Sequence, residues 1–173
     1  MPNVAAAARQ EKRSGDVNVP KRVLFVCTGN TCRSPMAAAL LAHTAQQKGR
    51  DGSLVATSAG LFAADGALIS QNAAIALADA GIPSALFEGH AARTVTDEIM
   101  ANADIVIGIT GRHAMELMLR FPEHAAKIEA LPIDIADPFG GDVEEYRACL
   151  SMLSYAVAMR FFAGEGEHED PKS

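Results

Sequence analysis

Val23-Leu24-Phe25-Val26-Cys27-Thr28-Gly29-Asn30-Thr31-Cys32-Arg33-Ser34-Pro35-Met36 is the stretch that decides the fold. Its first four residues are apolar without interruption, which suits a short strand buried on both faces, as in a parallel sheet. The next eight, Cys27 to Ser34, are small or polar and read as a loop. Residues 36–49 (MAAALLAHTAQQKG) then read as a helix. Ser34 is placed to cap it, Pro35 sits in its first turn, and Gly49 closes it.

The same alternation continues outward. Residues 54–57 suit a second strand, and 70–80 a helix capped by Ser70 and stopped at Gly81-Ile82-Pro83. A short helix at 96–102 precedes a buried strand at 104–109. A helix at 111–120 ends before Phe121-Pro122. A weak strand at 127–131 and a long helix at 142–162 complete the body. Strands alternating with helices predict an α/β domain with a parallel sheet and right-handed crossovers. Ligands of such sheets bind beyond the carboxyl ends of the strands. The loop from Cys27 to Ser34 lies at that edge.

The chain has 173 residues, which suits one domain. A net charge of -6 excludes a domain-wide basic field for nucleic acid. It does not exclude an anionic substrate, because backbone N–H groups and one Arg suffice to hold a phosphate. No run approaches roughly 20 apolar residues, so no membrane span is expected. The cysteines Cys27, Cys32 and Cys149 make an odd set without paired spacing, which points to a reducing cytoplasm rather than a disulfide framework. No C-x-x-C or H-x-x-x-H occurs, so neither a metal nor a cofactor is expected. Residues 1–19 read as a disordered extension rather than a signal peptide, because their short Ala run is followed by charge. Residues 164–173 read as an acidic flexible tail.

The loop's chemistry follows from its residue types. Gly29 and Asn30 tolerate left-handed backbone angles, so successive N–H groups of Thr28, Gly29, Asn30, Thr31 and Cys32 can wrap one anion. The following helix adds the partial positive charge of its N-terminus. Arg33 adds a planar fork that fits phosphate oxygens in pairs. A thiol held in that field is favoured as thiolate, the nucleophilic form. Cys27 is therefore the candidate nucleophile, and Ser34 can donate its hydroxyl to it. Each residue alone has a bland reading: a core cysteine, a surface cation, a turn Asn. Their order between a buried strand and a helix is what argues for chemistry. Cys32 reads either as loop packing or as a resolving thiol that would trap oxidised Cys27 in a disulfide. Cys149 reads as buried packing.

Cleavage of a phosphorus–leaving-group bond calls for a proton donor. Asp137, in Asp137-Pro138-Phe139-Gly140-Gly141, is the candidate. Pro138 fixes the backbone, Phe139 can wall an apolar slot, and the two glycines let the loop fold close. Asp134 is the rival, without the stiffening Pro.

These residues resemble the low-molecular-weight protein tyrosine phosphatase family. VLFVCTGNTCRSPMA is similar to its nucleophile loop, Ser58-Ala59-Gly60 to the end of its second strand, His90-Ala91-Ala92-Arg93 to its H-x-A-R segment, and Asp137-Pro138-Phe139 to its acid loop. The resemblance covers about residues 21–162, within a domain spanning 20–163. It implies a three-layer doubly wound α/β fold with a four-stranded parallel sheet, a phosphocysteine intermediate and no metal. It also implies that Ser58 and His90 help hold Asn30 and the loop in place. The implied partner is a phosphorylated protein substrate, met by a monomer or weak dimer. Thr31, where tyrosine-specific members carry an aliphatic residue, resembles the bacterial protein arginine phosphatase branch. A hydroxyl there can meet a polar guanidinium. Two alternatives stand beside this reading. Arsenate reduction on the same fold needs further cysteines in reach, and residues 60–110 contain none. The other is a phosphate-binding or redox-sensing module without turnover.

Overall fold

The computed structural model describes residues 19–165. The expected extension lies outside them except for Val19, and the expected tail except for Gly164 and Glu165.

Four strands, β1 (Lys21–Cys27), β2 (Leu54–Gly60), β3 (Ile105–Gly108) and β4 (Ile128–Ala130), form one sheet in the order β2-β1-β3-β4. Every pairing is parallel. Among the described residues, five α-helices cover it: α1 (Arg33–Gln47), α2 (Gln71–Asp79), α3 (Asp97–Ala101), α4 (Gly111–Arg120) and α5 (Val143–Phe161).

Strand β1 explains the three layers. Successive side chains of a strand point to opposite faces. Val23, Phe25 and Cys27 enter one core with Met36 and Leu41 of α1, Leu77 of α2 and Leu153 of α5. Leu24 and Val26 enter the other with Met100 of α3 and Leu117 of α4. An uninterrupted apolar run is what a strand needs when neither face meets water. Each such side chain contributes about 1.5–3 kcal/mol of burial free energy.

Helix ends follow local chemistry. Gly49 has a φ of 67° after α1, Gly49 N–H donates to Gln46 O at 3.1 Å and Arg50 N–H to Ala45 O at 2.7 Å. That pair of bonds satisfies carbonyls that the helix itself leaves open. Gly81 ends α2 in the same way, with Gly81 N–H on Ala78 O and Ile82 N–H on Leu77 O. Thr110 opens α4 and Asp142 opens α5, each accepting from the backbone N–H three residues on.

Ser34 does not cap α1. The helix begins at Arg33 with Cys32 in the cap position, and no side chain covers its first turn. The Ser34 hydroxyl is instead fully buried among Cys27, Asn30 and Ala59. An uncapped first turn keeps its N–H groups for something other than a side chain. Ser70 precedes α2 as expected, but its hydroxyl goes to Tyr146 rather than to the helix.

Cys27 pairs with Gly60 and Val26 with Gly108, so β1, β2 and β3 end together. The loops that leave them, and the segment after β4, meet at this one edge. Gly60 is required there by close approach: a Cβ on it would lie 2.6 Å from the Thr28 carbonyl oxygen.

Candidate active site

Among the described residues, the buried polar or charged side chains are Asn30, Arg33, Ser34, Ser58 and His113. All five stand at the sheet edge where β1 ends. Polar groups out of water are costly unless hydrogen-bonded, and none of these lacks a partner.

Asn30 is the hub. It is the described non-glycine residue with positive φ, at 58°, a conformation Asn adopts more readily than most. Its amide Nδ2 donates to Ser34 Oγ at 2.8 Å and to Ser58 Oγ at 2.9 Å. Its Oδ1 accepts from Arg93 N–H at 3.0 Å, and its carbonyl oxygen meets His90 Nε2 at 2.6 Å. Arg93 Nε in turn donates to the Ser58 carbonyl at 3.0 Å. Residues from β2 and from the segment 90–93 thus hold the loop's turn from behind.

The Cys27 sulfur sits inside this bracing. Asn30 N–H donates to it at 3.3 Å and Ser34 Oγ lies 3.0 Å away. Both are groups that stabilise a sulfur anion. Arg33 is only 6% exposed. Its Nη1 donates to the Ile135 carbonyl at 3.0 Å, and its Nη2 lies 3.4 Å from Asp137 Oδ2. Asp137 also accepts from Phe139 N–H at 3.1 Å, which fixes the turn that Pro138 begins. The loop of residues 27–34 and the Asp137 loop therefore meet through one guanidinium.

A cleft of about 620 Å³ opens over this meeting point, lined by Thr28, Arg33, Phe62, His113, Asp134 and Asp137 among others. Phe62, 67% exposed, stands at its lip, with the Arg120 guanidinium 4.3 Å above its ring. Phe139 is 77% exposed and borders a different hollow, between the Asp137 loop and α5. Asp134, the rival acid, accepts from Gly111 N–H at 2.8 Å and so is engaged at the start of α4.

Sequence reasoning missed Phe62 and His113. His113 lies at the third position of α4, where its ring replaces the Glu or Gln of an ordinary capping box. Its Nδ1 accepts from Thr110 N–H at 3.2 Å, and its Nε2 lies 3.0 Å from Thr28 Oγ1. The available signal was Thr110-x-x-His113 directly after a strand that ends beside Cys27.

Burial, aided by the Arg33 charge, pushes His113 down to about 4. An unfolded histidine takes its proton near 6.5. Between those values the unfolded chain binds more protons, so falling pH favours unfolding. This group should have no pH effect on stability above pH 6.5 and should destabilise the fold progressively on descent toward 4. Melting temperatures measured across that range should fall more steeply for the wild type than for His113→Asn. Equal slopes would remove His113 as the source.

Cys32 meets Tyr146: its Sγ lies 3.2 Å from the Tyr146 hydroxyl, which Ser70 also meets at 3.2 Å. Burial and the Cys32 contact push Tyr146 up to about 12, which keeps the phenol protonated. Cys149 is buried in α5 behind Ala136, and burial pushes its thiol up to about 12. That is an inert packing thiol. No described helix is long and apolar enough to cross a membrane.

The family described as "Low molecular weight phosphotyrosine protein phosphatase" matches residues 22–163. A protein-arginine-phosphatase from Geobacillus stearothermophilus is 43% identical over 146 residues, covering 80% of this chain and 93% of its own. The solved structure of an arginine phosphatase from the same organism superposes with a TM-score of 0.70 at 41% identity, covering 80% of this chain and 88% of that one. A second similar structure is a Cys-to-Ser arginine phosphatase mutant with a phosphorylated active-site serine. It has a TM-score of 0.74 at 31% identity and covers 83% of this chain and 97% of its own. The overall fold is thus shared with these solved structures, and the chain belongs to the low-molecular-weight phosphotyrosine protein phosphatase family.

Proposed function

We propose that this chain is a cysteine-dependent protein phosphatase that hydrolyses phosphoarginine side chains, with phosphotyrosine as its second substrate class. The observation that carries the reading is the Cys27 sulfur, held by Asn30 N–H and Ser34 Oγ within one loop that ends at a buried Arg33. The phosphoryl group takes the backbone N–H groups of residues 28–32 and the Arg33 fork. Cys27 Sγ attacks phosphorus. The S–P bond forms as the P–N bond of phosphoarginine, or the P–O bond of phosphotyrosine, breaks. The electron pair leaves with the guanidino nitrogen or phenolic oxygen, and Asp137 delivers its proton there. Asp137, now a carboxylate, takes a proton from water as the water oxygen attacks phosphorus. The S–P bond breaks, inorganic phosphate departs and the Cys27 thiolate is restored. The phosphorylated active-site serine of the Cys-to-Ser arginine phosphatase mutant fits such an intermediate. A thiolate nucleophile calls for a reducing compartment, the cytoplasm.

Two observations favour phosphoarginine. One is the name of the 43% identical relative. The other is the cleft wall, where Glu116 and Asp134 carry carboxylates suited to a cationic guanidinium and no tyrosine offers a ring. The test is the ratio of kcat/KM on phosphoarginine and phosphotyrosine peptides of matched sequence. The ratio should exceed one in the wild type and shift toward phosphotyrosine by about tenfold in Thr31→Ile, which replaces a hydroxyl by an apolar branch. Turnover of phosphotyrosine alone would make the second substrate class the first. An unchanged ratio in the variant would clear Thr31 of any part in the choice.

A further inference from the structure

We propose that His113 is a positioning residue of the phosphate loop: it holds the Thr28 side chain so that the threonine hydroxyl donates its proton to the phosphoryl group seated above Cys27. This inference rests on the phosphatase reading. The hydrogen-bond inventory leads to it. The backbone N–H of Thr110 can only donate, so His113 Nδ1, 3.2 Å away, accepts. A neutral imidazole carries its proton on the other nitrogen when Nδ1 accepts. Nε2–H therefore donates to Thr28 Oγ1 at 3.0 Å. The ring is buried, and its depressed proton affinity keeps it in this neutral tautomer.

A hydroxyl has one proton to give and two lone pairs. His113 occupies one lone pair of Thr28, and no described side chain or carbonyl accepts the Thr28 proton. Thr28 is exposed to the cleft that Arg33 and Asp137 also line, one residue after the nucleophile. The acceptor that the reaction brings to this place is a phosphoryl oxygen. Without His113 the hydroxyl would sample its other staggered rotamers, and the donor would have to be oriented at each turnover. The cap at the start of α4 thus reaches across 85 residues of sequence to aim a group beside Cys27.

Two replacements of His113 separate the cap from the reach. Asn places an acceptor near the position of Nδ1 but stops short of Thr28. Gln places an amide N–H near the position of Nε2. Turnover of p-nitrophenyl phosphate, the inhibition constant of inorganic phosphate and the melting temperature would be measured for the full chain carrying His113→Asn, His113→Gln, Thr28→Val, Thr28→Ser and the double change Thr28→Val with His113→Asn. A hydrogen bond to a charged oxygen is worth roughly a tenfold effect or more. Thr28→Val should lower kcat/KM and weaken phosphate inhibition by about that factor. Thr28→Ser should recover most of the loss. His113→Asn should match Thr28→Val in activity while melting close to the wild type at pH 7.5, and His113→Gln should recover activity relative to it. The double variant should lose no more than either single change. Losses that multiply in the double variant would overturn the proposal, as would a Thr28→Val enzyme within twofold of wild type. Wild-type turnover abolished by Cys27→Ser fixes the underlying reading independently; a wild type without turnover defeats that reading, whatever the variants do.

Discussion

Cys27→Ser should abolish turnover and leave the phosphate seat intact. The seat is made of backbone N–H groups, Arg33 and the Asn30 brace, none of which involves the sulfur covalently. Asn30 N–H and Ser34 Oγ can face a hydroxyl as well as a thiol. What is lost is the nucleophile: a serine hydroxyl is far less nucleophilic than a cysteine sulfur, and among the described residues no base hydrogen-bonds to Cys27. The expected loss in kcat is about 10⁴-fold or more. Steady-state hydrolysis of an aryl phosphate gives the first half of the result. Titration calorimetry with inorganic phosphate gives the second, with affinity within a few-fold of wild type. Substantial residual turnover would take the nucleophile's role from Cys27.

Asp137→Ala should produce the second largest effect, and its size should depend on the substrate. The carboxylate lies 3.4 Å from Arg33 Nη2, which places it beside the phosphate seat, and its side chain is 52% exposed, within reach of an incoming leaving group. A phosphotyrosine-like ester must expel a basic phenolate, so it depends on the donated proton. A nitrophenyl ester expels a stable anion and depends on it much less. Loss of a general acid typically costs 10²–10⁴-fold, and that range is expected for alkyl-substituted phenyl phosphates, falling to about tenfold for nitrophenyl phosphate. A plot of log kcat/KM, which reports the step that expels the leaving group, against leaving-group basicity should be shallow for wild type and steep for the variant. Parallel lines would remove Asp137 as the acid and direct attention to Asp134, 3.8 Å from the Cβ that Gly111 lacks.

The fold was legible because β1 and α1 carry different periodicities on either side of a polar loop. Val23 to Val26 suited a strand with two buried faces, and the two cores found on those faces are its reason. The Cys27 and Arg33 grouping was legible because a thiol and a guanidinium stood in a fixed order between a buried strand and a helix, and Asp137 because Pro138 and two glycines followed it. Ser34 was half read: its hydroxyl was expected both to cap the helix and to meet Cys27, and only the second role is found, because Asn30 also draws that hydroxyl away from the helix end. Ser58 and His90 lie 28 and 60 residues from Asn30, beyond any periodicity, and came only through resemblance. His113 stayed invisible because a residue in the first turn of a helix looks sufficiently explained by that helix. Phe62 is an exposed aromatic in a loop, with no pattern to mark it; its place at the cleft lip depends on Arg120, which donates from Nη1 to the Leu61 carbonyl at 3.1 Å.

The bracing of the loop at residues 27–34 has a consequence for how this molecule comes into being. Its supports arrive from positions 58, 90, 93, 113 and 135, spread over most of the described chain. An octapeptide of the same composition would have the thiol and the guanidinium but nothing to hold the amides convergent, and a nascent chain emerging only as far as α3 would still lack the Ile135 carbonyl that holds Arg33. Catalytic competence is then a property of the finished topology, so regained turnover after denaturation reports the closing of the last long-range contact rather than the formation of any single element.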